Sequence, residues 1–118
     1  MSPSLLRGFN RRSVNELVDL GVHMVYDHSL IKKNRYRGLW YPNYNLICIN
    51  PLVQENEGKQ EENRTINHEW LHALGDLLLD PPRDFKESQI EYWAKHHLRR
   101  DPTLTDYIRS LFPDFGFK

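Results

Sequence analysis

The sequence has one cysteine, no long apolar run and no excess of charge of either sign. Because Cys48 is alone, an internal disulfide is excluded, which fits a reducing compartment. The 16 basic and 16 acidic residues balance, so there is no global field to attract nucleic acid or an anionic membrane. No segment approaches the ~20 apolar residues of a membrane span, and MSPSLLRGFNRR at the start lacks a signal peptide's apolar run. We therefore expect a cytoplasmic protein with neither nucleic acid nor membrane as a partner.

The apolar content is sufficient for one modest domain. Of the 118 residues, 39% are hydrophobic, and three Trp, six Tyr and five Phe are among them. A chain of this length buries one core but is too short for two. We therefore expect residues 1–118 to form a single domain.

The periodicity of the apolar residues predicts an α+β fold. A helix is expected at 13–20, a strand at 22–26, a hairpin at 36–41 and 46–50, and helices at about 65–79, 85–99 and 103–112. The charged segment QENEGKQEENR (54–64) is expected to be a solvated surface link, with a helix beginning near its end as an alternative. The expected architecture is an N-terminal helix, a three-stranded mainly antiparallel sheet and three further helices, the last one short.

The segment NHEWLHALGD (67–76) combines a core-facing helix with a pattern of metal ligands. On a helical wheel, His68 and His72 lie on the polar face, one turn apart, where both imidazoles can bind one ion. Glu69 lies on the flank of that face, where a carboxylate can accept a proton from a metal-bound water. The alternative is an ordinary amphipathic helix with polar surface residues. An accidental His-Glu-x-x-His in a chain with six histidines has odds on the order of one in a hundred, which favours a metal site.

The same helix does not supply an obvious third ligand. One metalloprotease class continues as H-E-x-x-H-x-x-G-x-x-H, and Gly75 fits it, but Leu78 stands at the last ligand position and excludes that class. Asp76 is a further turn along. Ligands at i, i+4 and i+8 of a straight helix span about 12 Å, too far for a single ion, so Asp76 is expected to be an outer-shell partner or a solvated carboxylate.

The next helix offers three candidates for that third ligand. Glu87 falls on its inward face, Glu91 at the edge of that face as a reserve, and His97 on it as a weaker candidate. A carboxylate among core residues needs a partner, and a metal ion is a suitable one. Glu87 has a competing interpretation as the last residue of a capping box that begins at Asp84.

These motifs resemble those of the minimal gluzincins, and within them the ImmA/IrrE-like metallopeptidases. In that family a hairpin ending in an apolar strand precedes H-E-x-x-H, and a helix of the form E-x-x-A-N-x-F-A follows. The chain has the strand at 46–50, then His-Glu-Trp-Leu-His at 68–72 and Glu-Ser-Gln-Ile-Glu-Tyr-Trp-Ala at 87–94, so the resemblance covers roughly residues 35–98. It departs from the pattern where Ile90 and Glu91 replace Ala and Asn, and where Trp70-Leu71 replaces Leu-Gly.

The resemblance implies a zincin-like fold and a zinc-dependent peptidase. By residue, it implies that His68, His72 and Glu87 bind Zn²⁺ and that Glu69 is the general base for water attacking a peptide bond of a protein substrate. Relatives often act on a transcriptional regulator, which is a partner by analogy only. No residue is identified for stabilising the oxyanion, and the candidates are Tyr92, Tyr107 and His97.

Three other classes were weighed against this one. Peptide deformylases add a cysteine ligand, but the neighbouring motifs around Cys48 are absent. A metal-dependent endoribonuclease family uses H-x-x-x-H-x-x-G-x-D-H, but Leu77 and Leu78 occupy its last polar positions. The more serious alternative is a catalytically weak or inactive zinc-binding module that binds a regulatory protein. Retention of Glu69 argues against it, because a purely structural zinc site does not need that carboxylate.

Overall fold

The computed structural model describes residues 8–33 and 36–116, which form an α+β domain with six α-helices and one three-stranded sheet. In chain order the elements are α1 (Arg11–Asp19), β1 (His23–Tyr26), α2 (Ser29–Lys33), β2 (Gly38–Tyr41), β3 (Leu46–Ile49), α3 (Val53–Glu57), α4 (Lys59–Leu77), α5 (Glu87–Arg100), α6 (Leu104–Ser110) and a 3₁₀ turn (Pro113–Gly116).

The sheet is mixed, with the strand order β1-β3-β2. The predicted hairpin is confirmed: β2 pairs antiparallel with β3, and Gly38 lies opposite Ile49. β1 pairs with β3 in parallel, His23 opposite Leu46, so the prediction of a mainly antiparallel sheet was wrong. The reason is that β1 reaches β3 through a crossover containing α2 and β2, and a crossover of that length permits parallel pairing.

The charged segment 54–64 is mostly helical, which contradicts its prediction as a solvated link. α3 covers its start and α4 begins at Lys59, with Gly58 between them at a φ of 97° that favours glycine. Glu62 is fully buried. Its partners are Tyr26 and Arg109, which lie far away in the chain, so composition alone could not distinguish this buried carboxylate from the exposed ones around it.

Helix α4 is the centre of the domain. Its predicted apolar face is buried, with Ile66, Trp70 and Leu71 all at 0% exposure. α5 packs along α4 through Ile90, Trp93 and Ala94, which are also buried. This packing leaves the polar face of α4 between β2 on one side and the start of α5 on the other. None of the helices in the described chain combines the length and the apolar character needed to cross a membrane.

Candidate metal centre

The polar face of α4 forms the floor of a cleft of about 700 Å³. β2 and the two residues before it line one wall, and the start of α5 lines the other. β2 approaches α4 closely because Gly38 has no side chain: a Cβ there would lie 2.9 Å from Cγ2 of Thr65 and 3.2 Å from Cγ of Glu69. Gly38 keeps its place in the hairpin, directly opposite Ile49 in the register.

Two imidazoles and one carboxylate meet in this cleft. Nε2 of His68 lies 2.6 Å from Oε2 of Glu87, and Nε2 of His72 lies 2.9 Å from Oε1 of the same residue. The two rings are 5.0 Å apart between centroids. One ligand atom from each of these three residues lies within 4.8 Å of the others, so together they form a group that could hold a metal ion.

This donor set fits zinc. Two histidines and a glutamate are a familiar ligand combination for catalytic zinc, and a tetrahedral ion with bonds of about 2.0–2.1 Å separates its ligand atoms by about 3.3 Å. Both Nε2 atoms point toward the same carboxylate, so only small shifts separate the observed arrangement from that spacing. Burial, the strongest influence, lowers the pKa of His72, and this favours the neutral imidazole that metal ligation requires.

Glu91 contacts the opposite edge of the first imidazole. Its Oε2 lies 2.9 Å from Nδ1 of His68, the ring nitrogen that faces away from Glu87. Its other oxygen, Oε1, forms an ion pair with Nε of Arg64 at 2.7 Å. Glu87 therefore lies beside the Nε2 atoms of both histidines. Glu91, the reserve candidate for the third ligand, lies on the Nδ1 side of His68 instead.

The competing interpretation of Glu87 as part of a capping box is wrong. The N-terminal cap of α5 is Lys86, which makes no side-chain capping bond, and Glu87 is the first residue of the helix. Its side chain is 75% exposed and points across to α4. Contacts with the two histidines, rather than the helix start, therefore explain its orientation.

Glu69 is buried without a donor. It is 7% exposed, it lines the cleft, and no hydrogen bond reaches it from any residue that the structure describes. Burial, together with the charges of Glu87 and Glu91, raises the pKa of Glu69 to about 8. A buried carboxylate among other carboxylates is costly, and a cation beside it would offset that cost.

Asp76 and Gly75 have roles in assembling the cleft. Oδ2 of Asp76 accepts a hydrogen bond from the indole N–H of Trp40 at 2.6 Å, which ties β2 to the end of α4. Gly75 accepts a backbone hydrogen bond from Arg83, and a Cβ on it would lie only 2.8 Å from the Arg83 carbonyl oxygen. The chain returning toward Glu87 thus packs directly on this glycine. We had missed that role, although a glycine inside a strongly helical pattern is a signal for close approach.

The three residues suggested for the oxyanion lie elsewhere. His97 is buried, and its Nε2–H donates to the carbonyl of Phe9 at 2.7 Å. Tyr107 donates to Asn15, and Tyr92 is 64% exposed against His96. None of the three lines the cleft, so this expectation is contradicted, as is His97 as a weaker ligand.

Cys48 lies in the hydrogen-bonded interior of the sheet rather than with the histidines. Burial first, and then Asp27, raises the pKa of its thiol to about 12. It is 2% exposed and is not part of the three-residue group. A thiol held in its protonated form is a poor metal ligand, which argues against a deformylase-like site.

Comparisons of the chain with protein-family models, with curated proteins and with solved structures found no match. Fold class alone does not define an activity. The function therefore depends on the chemistry of this cleft.

Proposed function

We propose that the chain is a zinc-dependent metallopeptidase of the minimal gluzincin type, similar to the ImmA/IrrE-like enzymes. One observation carries the proposal: a single carboxylate, Glu87, bridges the two His-Glu-x-x-His imidazoles directly beside a buried glutamate that has no donor. A helix that needed only amphipathicity would have no reason to bring these groups together.

His68, His72 and Glu87 would hold the zinc ion. When bound, zinc supplies Lewis-acid chemistry, polarising a carbonyl and making water acidic near neutral pH. Three protein ligands leave room for the reacting groups, whereas a structural zinc site is usually closed by four Cys or His ligands. The number and type of ligands therefore support a catalytic centre over a structural one.

Glu69 is the general base in this proposal. Its carboxylate would take a proton from the water that attacks the peptide carbonyl and would later pass that proton to the leaving amine. The low exposure of Glu69, 7%, reflects a side chain enclosed by the walls of the cleft that it lines. Gly38 contributes to this, because its missing side chain lets β2 lie against Glu69.

The shape of the cleft supports a peptide substrate. Its volume of about 700 Å³ is within the usual range for ligand pockets, enough for a few residues of peptide. β2 is an edge strand of the sheet and lines one wall, so it can pair with an extended chain. By family analogy, a transcriptional regulator is a candidate protein substrate.

The decisive experiment compares the zinc-loaded chain with Glu69→Gln on a complex peptide library, with new termini identified by mass spectrometry. We expect wild type to create termini that a chelator abolishes, and the variant to bind zinc equally well while creating none. If wild type binds zinc but produces no termini beyond those of the variant, the chain is not a peptidase.

A zinc-binding module that binds a regulatory protein is the second candidate. It is favoured by one observation: none of Tyr92, Tyr107 and His97 lies at the cleft to stabilise an oxyanion. This candidate predicts that the chain binds zinc but hydrolyses no peptide. The peptide-library experiment would then refute the proposed peptidase activity and favour the binding module.

A further inference from the structure

Two glutamates one turn apart on α5 both contact the same imidazole, yet they contact opposite nitrogens. Glu87 lies 2.6 Å from Nε2 of His68 and Glu91 lies 2.9 Å from Nδ1. Either carboxylate has the chemistry of a metal ligand. Some other group must therefore hold Glu91 on the Nδ1 side.

Arg64 is that group. It lies one helical turn before His68 on α4, and its Nε forms an ion pair with Oε1 of Glu91 at 2.7 Å. Its terminal NH2 group donates to Glu61 on its own helix. The arginine side chain is only 23% exposed, so it is fixed between an anchor on α4 and the carboxylate that reaches over from α5.

The arrangement has a direct consequence for the imidazole. A carboxylate can only accept, so with a metal ion at Nε2 the ring proton of His68 would lie on Nδ1, in its bond to Glu91. The remaining nitrogen, Nε2, then presents its lone pair to a metal, and such outer partners fix the ring and raise its basicity. The two oxygens of Glu91 are divided between Arg64 and His68, and both contacts hold this carboxylate on the Nδ1 side of the ring, away from the Nε2 atoms.

We propose that Arg64 is a positioning residue for the metal centre. By binding Glu91, it holds that carboxylate on Nδ1 of His68, which orients the ring and keeps Glu91 out of the third ligand position. This inference rests on the proposed function, because it assumes that His68 binds zinc through Nε2.

The test measures zinc affinity by competition with a chromophoric chelator. The variants are Arg64→Met, Arg64→Lys, Glu91→Gln and the double variant Arg64→Met with Glu91→Gln. Arg12→Met is the matched control, because Arg12 forms an exposed ion pair with Glu16 on α1, away from the cleft. Melting temperatures confirm that each variant is folded.

Loss of an outer-shell partner typically weakens metal binding by about 10–100-fold. We expect Glu91→Gln to be in that range, Arg64→Met to lose about 10-fold, and Arg64→Lys to recover part of the loss because an ammonium can still pair with Glu91. If Arg64 acts through Glu91, the double variant binds zinc no more weakly than Glu91→Gln alone. Arg12→Met should bind as wild type does.

A spectroscopic measurement separates positioning from general stabilisation. The measurement is NMR of zinc-loaded protein with ¹⁵N-labelled histidine. The chemical shift of the Nδ1 proton of His68 should change in Arg64→Met and stay as in wild type in Arg12→Met. Zinc affinity equal to wild type in Arg64→Met, or losses that multiply in the double variant, would overturn the inference.

The outcomes also distinguish this inference from the proposed function. If wild type fails to bind zinc, the metal centre is refuted and this inference with it. If wild type binds zinc but Arg64→Met is indistinguishable from it, only the role of Arg64 is refuted. Zinc binding without peptide cleavage would refute the enzyme and leave the positioning role intact.

Discussion

Helix α4 contains two buried glutamates, seven residues apart, with opposite surroundings. Glu62 is 0% exposed and accepts hydrogen bonds from the Tyr26 hydroxyl, at 3.0 and 3.1 Å, and from Arg109 at 2.8 Å. Glu69 is 7% exposed, receives no hydrogen bond from the described residues, and has Glu87 and Glu91 as its charged neighbours.

The difference separates a carboxylate that stabilises the fold from the one proposed to take part in catalysis. Burying Glu62 costs desolvation, but its donors compensate for that cost and join α4 to β1 and α6. Glu69 also loses hydration on burial, but no hydrogen-bond donor of the described residues compensates for that loss. An unpaired, perturbed carboxylate in a cleft is the kind of group that catalytic sites retain.

Glu69→Gln gives the largest expected effect. If Glu69 is the general base as proposed, its replacement should lower the rate of peptide hydrolysis by about 10²–10⁴-fold. The metal-free variant should be at least as stable as wild type, because burial and the charges of Glu87 and Glu91 make Glu69 take up a proton on folding at neutral pH, a cost that glutamine avoids. Steady-state rates and urea unfolding in a chelator test this. A variant that loses stability together with activity would assign Glu69 a structural role.

Glu62→Gln is the converse experiment. It removes the buried anionic partner of the Arg109 guanidinium, which is 20% exposed and keeps Asp106 as a second, exposed partner. Breaking a buried pair from one side costs up to about 3 kcal/mol. Urea unfolding measures the loss, and zinc affinity of the folded protein should be unchanged. Glu55→Gln, an exposed position on α3, is the control. If Glu62→Gln leaves stability unchanged, the two glutamates do not differ as proposed.

Gly75→Ala tests whether the cleft end of α4 depends on the returning chain. Alanine favours the helix, but its Cβ would meet the Arg83 carbonyl at 2.8 Å, and backbone cannot rotate away. The overpacking should prevail with a net loss of about 1–2 kcal/mol, together with weaker zinc binding because Glu87 is displaced. Gly8→Ala, where a Cβ meets nothing within 4 Å, is the matched control. Equal stability and zinc affinity for both variants would contradict the role of Gly75.

The smallest effect concerns a third buried ionisable group, His97. Burial lowers its pKa below the ordinary 6.5, so the unfolded chain binds its proton more readily. Its contribution to stability is therefore present above about pH 6.5 and is lost as pH falls through that value toward the folded pKa, by at most about 1.4 kcal/mol per pH unit. His97→Gln should flatten the decline in unfolding free energy below pH 6.5, with exposed His28→Gln as the control. An unchanged slope in His97→Gln would exclude this contribution.

The periodicity of apolar residues along the sequence predicted the hairpin and the two faces of α4. The hairpin and the two faces of α4 follow from periodicities of two and 3.6 residues, and they place His68, His72 and Glu69 together on one face. The helical wheel favoured Glu87 over Glu91 as the third ligand, but it could not show that Glu91 contacts the other ring nitrogen of His68, because that contact depends on how α5 packs on α4.

The features that escaped prediction depend on distant parts of the chain. The partners of Glu62 lie 36 and 47 residues away, and the parallel pairing of β1 with β3 spans a crossover. The role of Gly75 depends on a loop that packs back onto it. In each case the determining contact is tertiary, so composition and periodicity carried no signal for the partner.

The most direct test of the metal centre is anomalous diffraction at the zinc absorption edge from crystals of the zinc-loaded chain. We predict one zinc ion bonded to Nε2 of His68, Nε2 of His72 and a carboxylate oxygen of Glu87, with Glu91 remaining on Nδ1 of His68. An ion bonded to Glu91 in place of Glu87, or no ion between the two histidines, would contradict it.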